Sequence, residues 1–245
     1  MLTIDGLSKH YGETKALDCV SIVFEPGSVH TVLGENGSGK STLVKLLSGV
    51  VQPDHGAIHV AGRPFIARDP AAAQAAGIAT VFQEVLVAPD LTVIDNVLLG
   101  IDGLWRRRIP RSERRGLVAR TFERFASSPM PLDAAAGNLP LATQQLVVLA
   151  RALIRQPRIL ILDEITAALD FTDRESVFGL MEGLAAAGTL LIFITHRMDE
   201  VMRLSHRISV LRGGRHVKTL APADTSPDDL LALMAPEISE ARHRG

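Results

Sequence analysis

The residues with the plainest chemical meaning run Gly34-Glu35-Asn36-Gly37-Ser38-Gly39-Lys40-Ser41. They satisfy G-x-x-x-x-G-K-[ST] at every fixed position. Glycines at 34, 37 and 39 let the backbone curl until successive N–H groups face one concavity. A helix that starts there adds unpaired N–H groups and a dipole that favours an anion. Lys40 is placed to reach terminal phosphates as a point charge, and the Ser41 hydroxyl to ligate Mg²⁺. The flanks supply the required context. Val29 to Leu33 reads as a buried strand, and Ser41 to Leu47 as a helix that Gly49 ends.

A second chemical feature lies far downstream. Ile159-Leu160-Ile161-Leu162-Asp163-Glu164 is an apolar run that ends in two acids. An uninterrupted apolar run is what a central parallel strand requires. Acids at its carboxyl end would stand beside the phosphate loop. Asp163 is suited to hold Mg²⁺, directly or through water, and Glu164 to polarise an attacking water as general base.

These groups need a scaffold that places them together. Beyond the strand at 29–33, strands are predicted at 57–61, 78–82, 158–162 and 189–195. Residues 70–77 read as an alanine-rich helix ended by Gly77, and Glu25-Pro26-Gly27 as a hairpin-type turn. From Val93 to Leu153 helical patterns dominate, which suggests an all-helical insertion. It carries Trp105 beside Arg106-Arg107-Arg108, which reads as a solvated helix or loop rather than a nucleic-acid or lipid contact, and a second basic cluster at 111–120. Ile208 to Leu211 and His216 to Leu220 form a closing hairpin around Gly213-Gly214, and a short helix follows from Ser226. Strands alternating with helices indicate an α/β core with a parallel sheet, and the phosphate loop belongs at the carboxyl end of a central strand.

The 245 residues are 47% hydrophobic and 22% charged, an ordinary balance for a chain with a real core. A net charge of −1 gives no bias toward nucleic acid or anionic lipid. Cys19, the one cysteine, excludes an intrachain disulfide and reads as a small core residue. No apolar run approaches the roughly 18 residues that span a bilayer. The first residues lack the basic and apolar regions of a signal peptide, so a cytoplasmic protein is expected. Any work at a membrane would need another chain. The end carries no strong stop signal, as expected of a fragment of something longer.

Taken together, these residues resemble the nucleotide-binding domain of ABC transporters over nearly the whole chain. Further positions match that family in order: Tyr11 as the adenine-stacking aromatic, Gln83 as the Q-loop glutamine and Leu139 to Gln145 at the signature motif. Ala168-Leu169-Asp170 matches the D-loop and His196 the switch histidine. The resemblance implies a P-loop NTPase core with a parallel central sheet, an N-terminal antiparallel β-subdomain and an α-helical insertion. It divides one domain, 1–245, into a nucleotide-binding core (1–86 and 156–225), a helical signature subdomain (87–155) and a C-terminal helix and tail (226–245). ATP would be held by Tyr11 and by Gly34 through Thr42, with Mg²⁺ on Ser41, Gln83 and Asp163. Catalysis would use Glu164, His196, Gln83 and Lys40; Gln83 would ligate Mg²⁺ or bind the attacking water, and His196 would contact the γ-phosphate.

Within the family, Gly34 to Gly37, the 86–99 segment and Thr195 to Glu200 are similar to the carbohydrate importers, in which two such domains lie in tandem. That branch implies membrane permease subunits, a second nucleotide-binding domain, an extracytoplasmic solute-binding protein and a peripheral place on the cytoplasmic membrane face. The alternative is an ATP-gated clamp without a membrane partner, as in DNA-repair or translation-factor relatives; the coiled-coil heptads usual there are missing from this sequence. Two positions depart from the pattern. Pro140 stands where the signature places serine, and Ile165 where proline follows the glutamate. Pro140 offers neither a hydroxyl nor an N–H to a phosphate.

Overall fold

The computed structural model describes residues 1–101 and 109–235. Trp105 and the triple arginine, like the tail beyond 235, lie outside the described residues. The chain opens on an antiparallel pair, β1 (Leu2–Tyr11) and β2 (Thr14–Phe24), in which Tyr11 faces Thr14 across the turn. β3 (Val29–Leu33) leads through the glycine-rich loop into α1 (Lys40–Leu47). Gly49, at φ +75°, ends that helix, and its N–H donates to the Leu46 carbonyl. Next come β4 (His55–Val60), β5 (Arg63–Phe65), α2 (Pro70–Ala75) and β6 (Ile78–Val81). Three helices follow: α3 (Val93–Leu98), α4 (Arg111–Phe122) and α5 (Leu141–Leu153). The rest alternates: β7 (Ile159–Asp163), α6 (Phe171–Ala186), β8 (Leu190–Ile194) and α7 (Met198–Leu204). β9 (Arg207–Arg212), β10 (Arg215–Leu220) and α8 (Pro227–Met234) complete it. Among the described residues, no helix is long and apolar enough to cross a membrane.

The strands form two sheets. One is antiparallel, in the order β2-β1-β4-β5; the other has the order β10-β9-β3-β8-β7-β6 and is parallel except for β10. Every residue of β3, β7 and β8 is buried. Alternation sends successive side chains into two cores, so such strands are mostly apolar; His30, Thr31 and Asp163 are their buried polar residues. Ile159 and Ile161 enter one core with Leu43, Leu46, Phe24 and Leu2, under the antiparallel sheet. Leu160 and Leu162 enter another with Val97, Phe122, Leu149 and Met181, under α3 to α6.

Two expectations need correction. The Glu25-Pro26-Gly27 turn does not close a hairpin, because β2 and β3 belong to different sheets. β3 is buried on both faces and pairs only in the parallel sheet, whereas β2 alternates between buried and exposed. Cys19 is exposed, not core. The register slips between Leu7–Val20 and Lys9–Leu17, which leaves an extra residue on β2. Cys19 takes a left-handed φ of +55° at this bulge and turns outward, its N–H donating to Ser8 Oγ at 2.9 Å.

The segment before α3 is held chiefly by two side chains, Asn96 and Arg151. Asn96 is fully buried. Its Oδ1 accepts from the Ala88 N–H (2.8 Å) and from Arg151 Nη2 (3.0 Å), and its Nδ2 donates to the Ala88, Leu91 and Thr92 carbonyls. Arg151 on α5 also donates to the Asn96 and Leu86 carbonyls, each at 2.8 Å. The stretch between Gln83 and α3 is therefore fastened to α5 by satisfied polar groups.

His30 sits in the centre of β3, 1% exposed, with Nε2 2.8 Å from Ser209 Oγ and the Phe24 ring at 4.5 Å. Burial, helped by the charges of His216 and Arg207, pushes its pKa down to about 4. The unfolded chain takes up this proton near pH 6.5, so stability is complete above that value and is lost as the pH falls toward 4. By pH 5 the loss should reach about 2 kcal/mol. Urea unfolding at pH 7.5 and 5 should show that His30→Gln, which keeps a hydrogen bond but cannot titrate there, loses correspondingly less. Parallel pH profiles for the two proteins would exclude this.

Candidate functional site

Four neighbouring parallel strands, β3, β8, β7 and β6, deliver the sequence-predicted groups at their carboxyl ends. The glycine-rich loop follows β3, His196 follows β8, Asp163 and Glu164 close β7, and Gln83 follows β6. The crevice outside strand carboxyl ends is where such sheets bind ligands. Here one cavity of about 750 Å³ is lined by Gly34 to Gly37, Gly39 to Thr42, Gln83, Asp163, Glu164 and His196.

The loop's shape depends on glycine at two points. A Cβ on Gly34 would collide with Ser38 Oγ and the Leu211 carbonyl; one on Gly39 would lie 2.5 Å from Leu17 and 2.6 Å from the Ala16 carbonyl. The Gly214 N–H donates to the Ser38 carbonyl (3.2 Å), so the β9–β10 turn buttresses the loop from behind. Lys40 Nζ lies back along the curl, donating to the Gly34 (2.7 Å) and Glu35 (2.9 Å) carbonyls. Burial lowers its pKa, while the charges of Glu164 and Asp163 act in the opposite direction.

Asp163 is 5% exposed. Burial first, then the charge of Glu164, raise its pKa to about 6, against the pull of Lys40 and Lys45. Glu164 lies between two partners. Gln83 Nε2 donates to its Oε2 at 3.0 Å, and His196 Nδ1 is 3.4 Å from its Oε1. Its φ of +50° is left-handed, a strained value for a residue other than glycine. Ile165, fully buried behind it, anchors the turn in the helical-side core.

Other expected site residues fall outside this cavity. Tyr11 is 46% exposed and does not line it, although Thr14 to Ala16 on the paired strand do. Ser38 is buried, and its hydroxyl is an orphaned polar atom beneath the curl. Pro140 caps α5 in an extended conformation (φ −55°, ψ 150°), so the helix opens at Leu141. Asp170 caps α6, its side chain accepting from the Asp173 N–H at 2.9 Å. Sequence reasoning missed Thr14, Lys15, Ala16 and Met234, which line the cavity, because nothing local links them to the loop.

A glycine-rich curl thus faces an acid pair, a glutamine and a histidine at the carboxyl end of a parallel sheet. The chain belongs to the ABC transporter family, whose profile matches residues 17–167. It is similar to the ribose import ATP-binding protein RbsA 1 of Rhizobium johnstonii, 42% identical over 93% of this chain and 44% of that protein. It is also 42% identical to the ribose import ATP-binding protein RbsA of Corynebacterium glutamicum, over 96% of this chain and 44% of that one. The chain thus spans less than half the length of these relatives. Among solved structures it resembles MJ1267, an ATP-binding cassette of an ABC transporter, with a TM-score of 0.83 and 26% identity over 96% of this chain and 99% of that one. The dimeric bacterial ABC transporter cassette MJ0796 gives 0.81 and 26% over 91% and 99%.

Proposed function

We propose that this chain binds ATP with Mg²⁺ and hydrolyses it at an interface with a second nucleotide-binding domain, driving import of a sugar. The observation that carries this reading is the single cavity in which the phosphate loop meets the acid pair. Lys40 and the loop N–H groups would grip the phosphates, and Glu164 would take the proton of an attacking water. Gln83 and His196, which already bracket Glu164, would orient that water and the terminal phosphate. The donor set fits Mg²⁺: the Ser41 hydroxyl, the Asp163 carboxylate and the Gln83 amide are all hard oxygens. Among the described residues no three His, Cys, Asp or Glu side chains converge as a metal cage, which suits an ion that takes few protein ligands and several from phosphate and water. When bound, Mg²⁺ neutralises phosphate charge. Tyr11, near the Thr14 to Ala16 wall, would stack on adenine.

The same reading divides the chain into a core at 1–86 and 156–225, a helical subdomain at 87–155 and a C-terminal helix and tail. The placement of α3, α4 and α5 between β6 and β7 supports it. The reading also takes in membrane permease subunits, an extracytoplasmic solute-binding protein and a position on the cytoplasmic membrane face; the import function named for the relatives supports it. Leu86 and Leu91, exposed apolar side chains on the stretch fastened by Asn96, suit the permease contact. Mg²⁺-dependent ATP binding and phosphate release by the purified protein test the reading; failure to bind ATP would refute it.

Pro140 weakens the site that this chain completes for its partner. The loop and Glu164 of this chain are complete, but the site that it finishes for its partner lacks the serine hydroxyl and one N–H. Each lost hydrogen bond to phosphate is worth about 1.5–3 kcal/mol. Pro140→Ser should therefore raise the ATPase rate of the assembled transporter by about tenfold or more; an unchanged rate counts against this.

A further inference from the structure

One buried acidic side chain near the site has no part in the roles assigned above. Glu200, in the first turn of α7, is fully buried. We propose that Glu200 is a positioning residue that locks the turn carrying Glu164 to the strand end carrying His196. The inference rests on the hydrolytic reading above and deepens it.

The geometry is specific. Glu200 Oε2 accepts from Thr166 Oγ1 at 2.9 Å and from Thr195 Oγ1 at 2.7 Å. Thr166 lies two residues after Glu164, and Thr195 immediately before His196. Both threonines are buried. Thr195 Oγ1 in turn accepts from the Arg197 N–H at 3.2 Å, so the residues on either side of His196 share one fastening. On the other side, the Glu164 N–H donates to the Ile194 carbonyl at 2.9 Å, and the Ala167 N–H to the Glu164 carbonyl at 3.2 Å. One carboxylate oxygen thus closes a ring through the general-base turn and the switch loop.

The ring answers two local needs. Glu164 holds a left-handed φ that its surroundings must impose. His196, whose side chain is 65% exposed, has little packing of its own to fix it 3.4 Å from Glu164. The second oxygen of Glu200 makes no hydrogen bond, and its nearest cation is Arg197 Nη1 at 3.8 Å. One acceptor oxygen shared by two hydroxyls holds both threonines at a single point, and misplacing a catalytic group by ~1 Å can cost about 10²-fold in rate.

The test compares kcat, ATP affinity from a fluorescent ATP analogue and thermal melting for Glu200→Ala, Glu200→Gln, Thr195→Val and Thr166→Val. Glu200→Ala should lower kcat by about 10- to 100-fold with affinity changed less than about twofold. Glu200→Gln keeps an acceptor oxygen and should restore kcat to within about threefold of the unsubstituted protein. In a Glu164→Gln background, Glu200→Ala should cost less than it does alone, because one of the two groups it positions is gone. Where Glu200→Ala does not fold, the two threonine variants, each removing one hydroxyl at constant shape, should lower kcat in its place. The inference is overturned if kcat follows the folded fraction, if affinity falls with kcat, if Glu200→Gln gives no rescue or if the double variant is additive. Loss of turnover in Glu164→Gln but not in Glu200→Ala or the threonine variants removes this inference alone. Native turnover in Glu164→Gln removes the hydrolytic assignment beneath it.

Discussion

Glu164→Gln should leave ATP bound with near-native affinity and reduce kcat by about 10³-fold. The substitution is isosteric, and the amide still offers an oxygen to Gln83 Nε2, which now lies 3.0 Å from Oε2. What is lost is the ability to take a proton. In the proposed function phosphate would be held by the loop and Lys40, whose bonds to the Gly34 and Glu35 carbonyls do not involve Glu164. Affinity and turnover should therefore separate. Equilibrium binding of a fluorescent ATP analogue and a phosphate-release assay on one preparation give both numbers. Turnover within threefold of the unsubstituted protein would eliminate Glu164 as the base; affinity lost together with turnover would instead point to a damaged loop. A secondary effect follows from the acid pair. The Glu164 charge is one cause of the raised Asp163 pKa, so the variant should move that pKa down.

Asp163→Asn should stabilise the protein by about 2–3 kcal/mol at pH 7 when neither nucleotide nor Mg²⁺ is added, and should abolish Mg²⁺-dependent turnover. Asp163 is 5% exposed, and its folded pKa is raised from 3.8 to about 6. Above pH 6 the folded state carries a carboxylate that burial and Glu164 both oppose. The penalty shrinks as the pH falls through 6 and is gone below 3.8, because there both states hold the proton. Asparagine keeps the shape and removes the charge, so it should capture that relief at neutral pH. A cation at Asp163 would supply the missing counter-charge in the native protein. ATP with Mg²⁺ should then raise the melting temperature of the native protein more than that of the variant. A variant that melts lower than the parent without ligands would refute the electrostatic account. Its pH dependence is opposite in sign to that of His30, whose protonation weakens the fold over nearly the same range. Comparing the two single variants separates the two contributions.

Much of the site was legible because its chemistry is local. The curl at 34–41 needs glycine where a Cβ would strike Ser38 or Leu17, and that need is written in consecutive residues. The runs at 159–162 and 190–194 read as two-sided strands because both faces meet apolar cores. The acids at 163 and 164 read as a site because an apolar run ends on them. Cys19 read wrongly for the complementary reason: a bulge is a property of the register between two strands, and neither strand alone records it.

By itself the sequence determined the glycine-rich curl, the buried strands and the acids that end one of them, since each is fixed by interactions within a few residues. Only the tertiary structure decided that β8 lies between β3 and β7, bringing His196 to Glu164 and both to the curl. It alone set Glu200 beneath Thr166 and Thr195, Asn96 against Arg151, and Met234 and Thr14 to Ala16 along the cavity wall. These placements depend on strand order and on packing between residues far apart in the chain, and no local propensity encodes a distance between segments that meet only when the sheet closes.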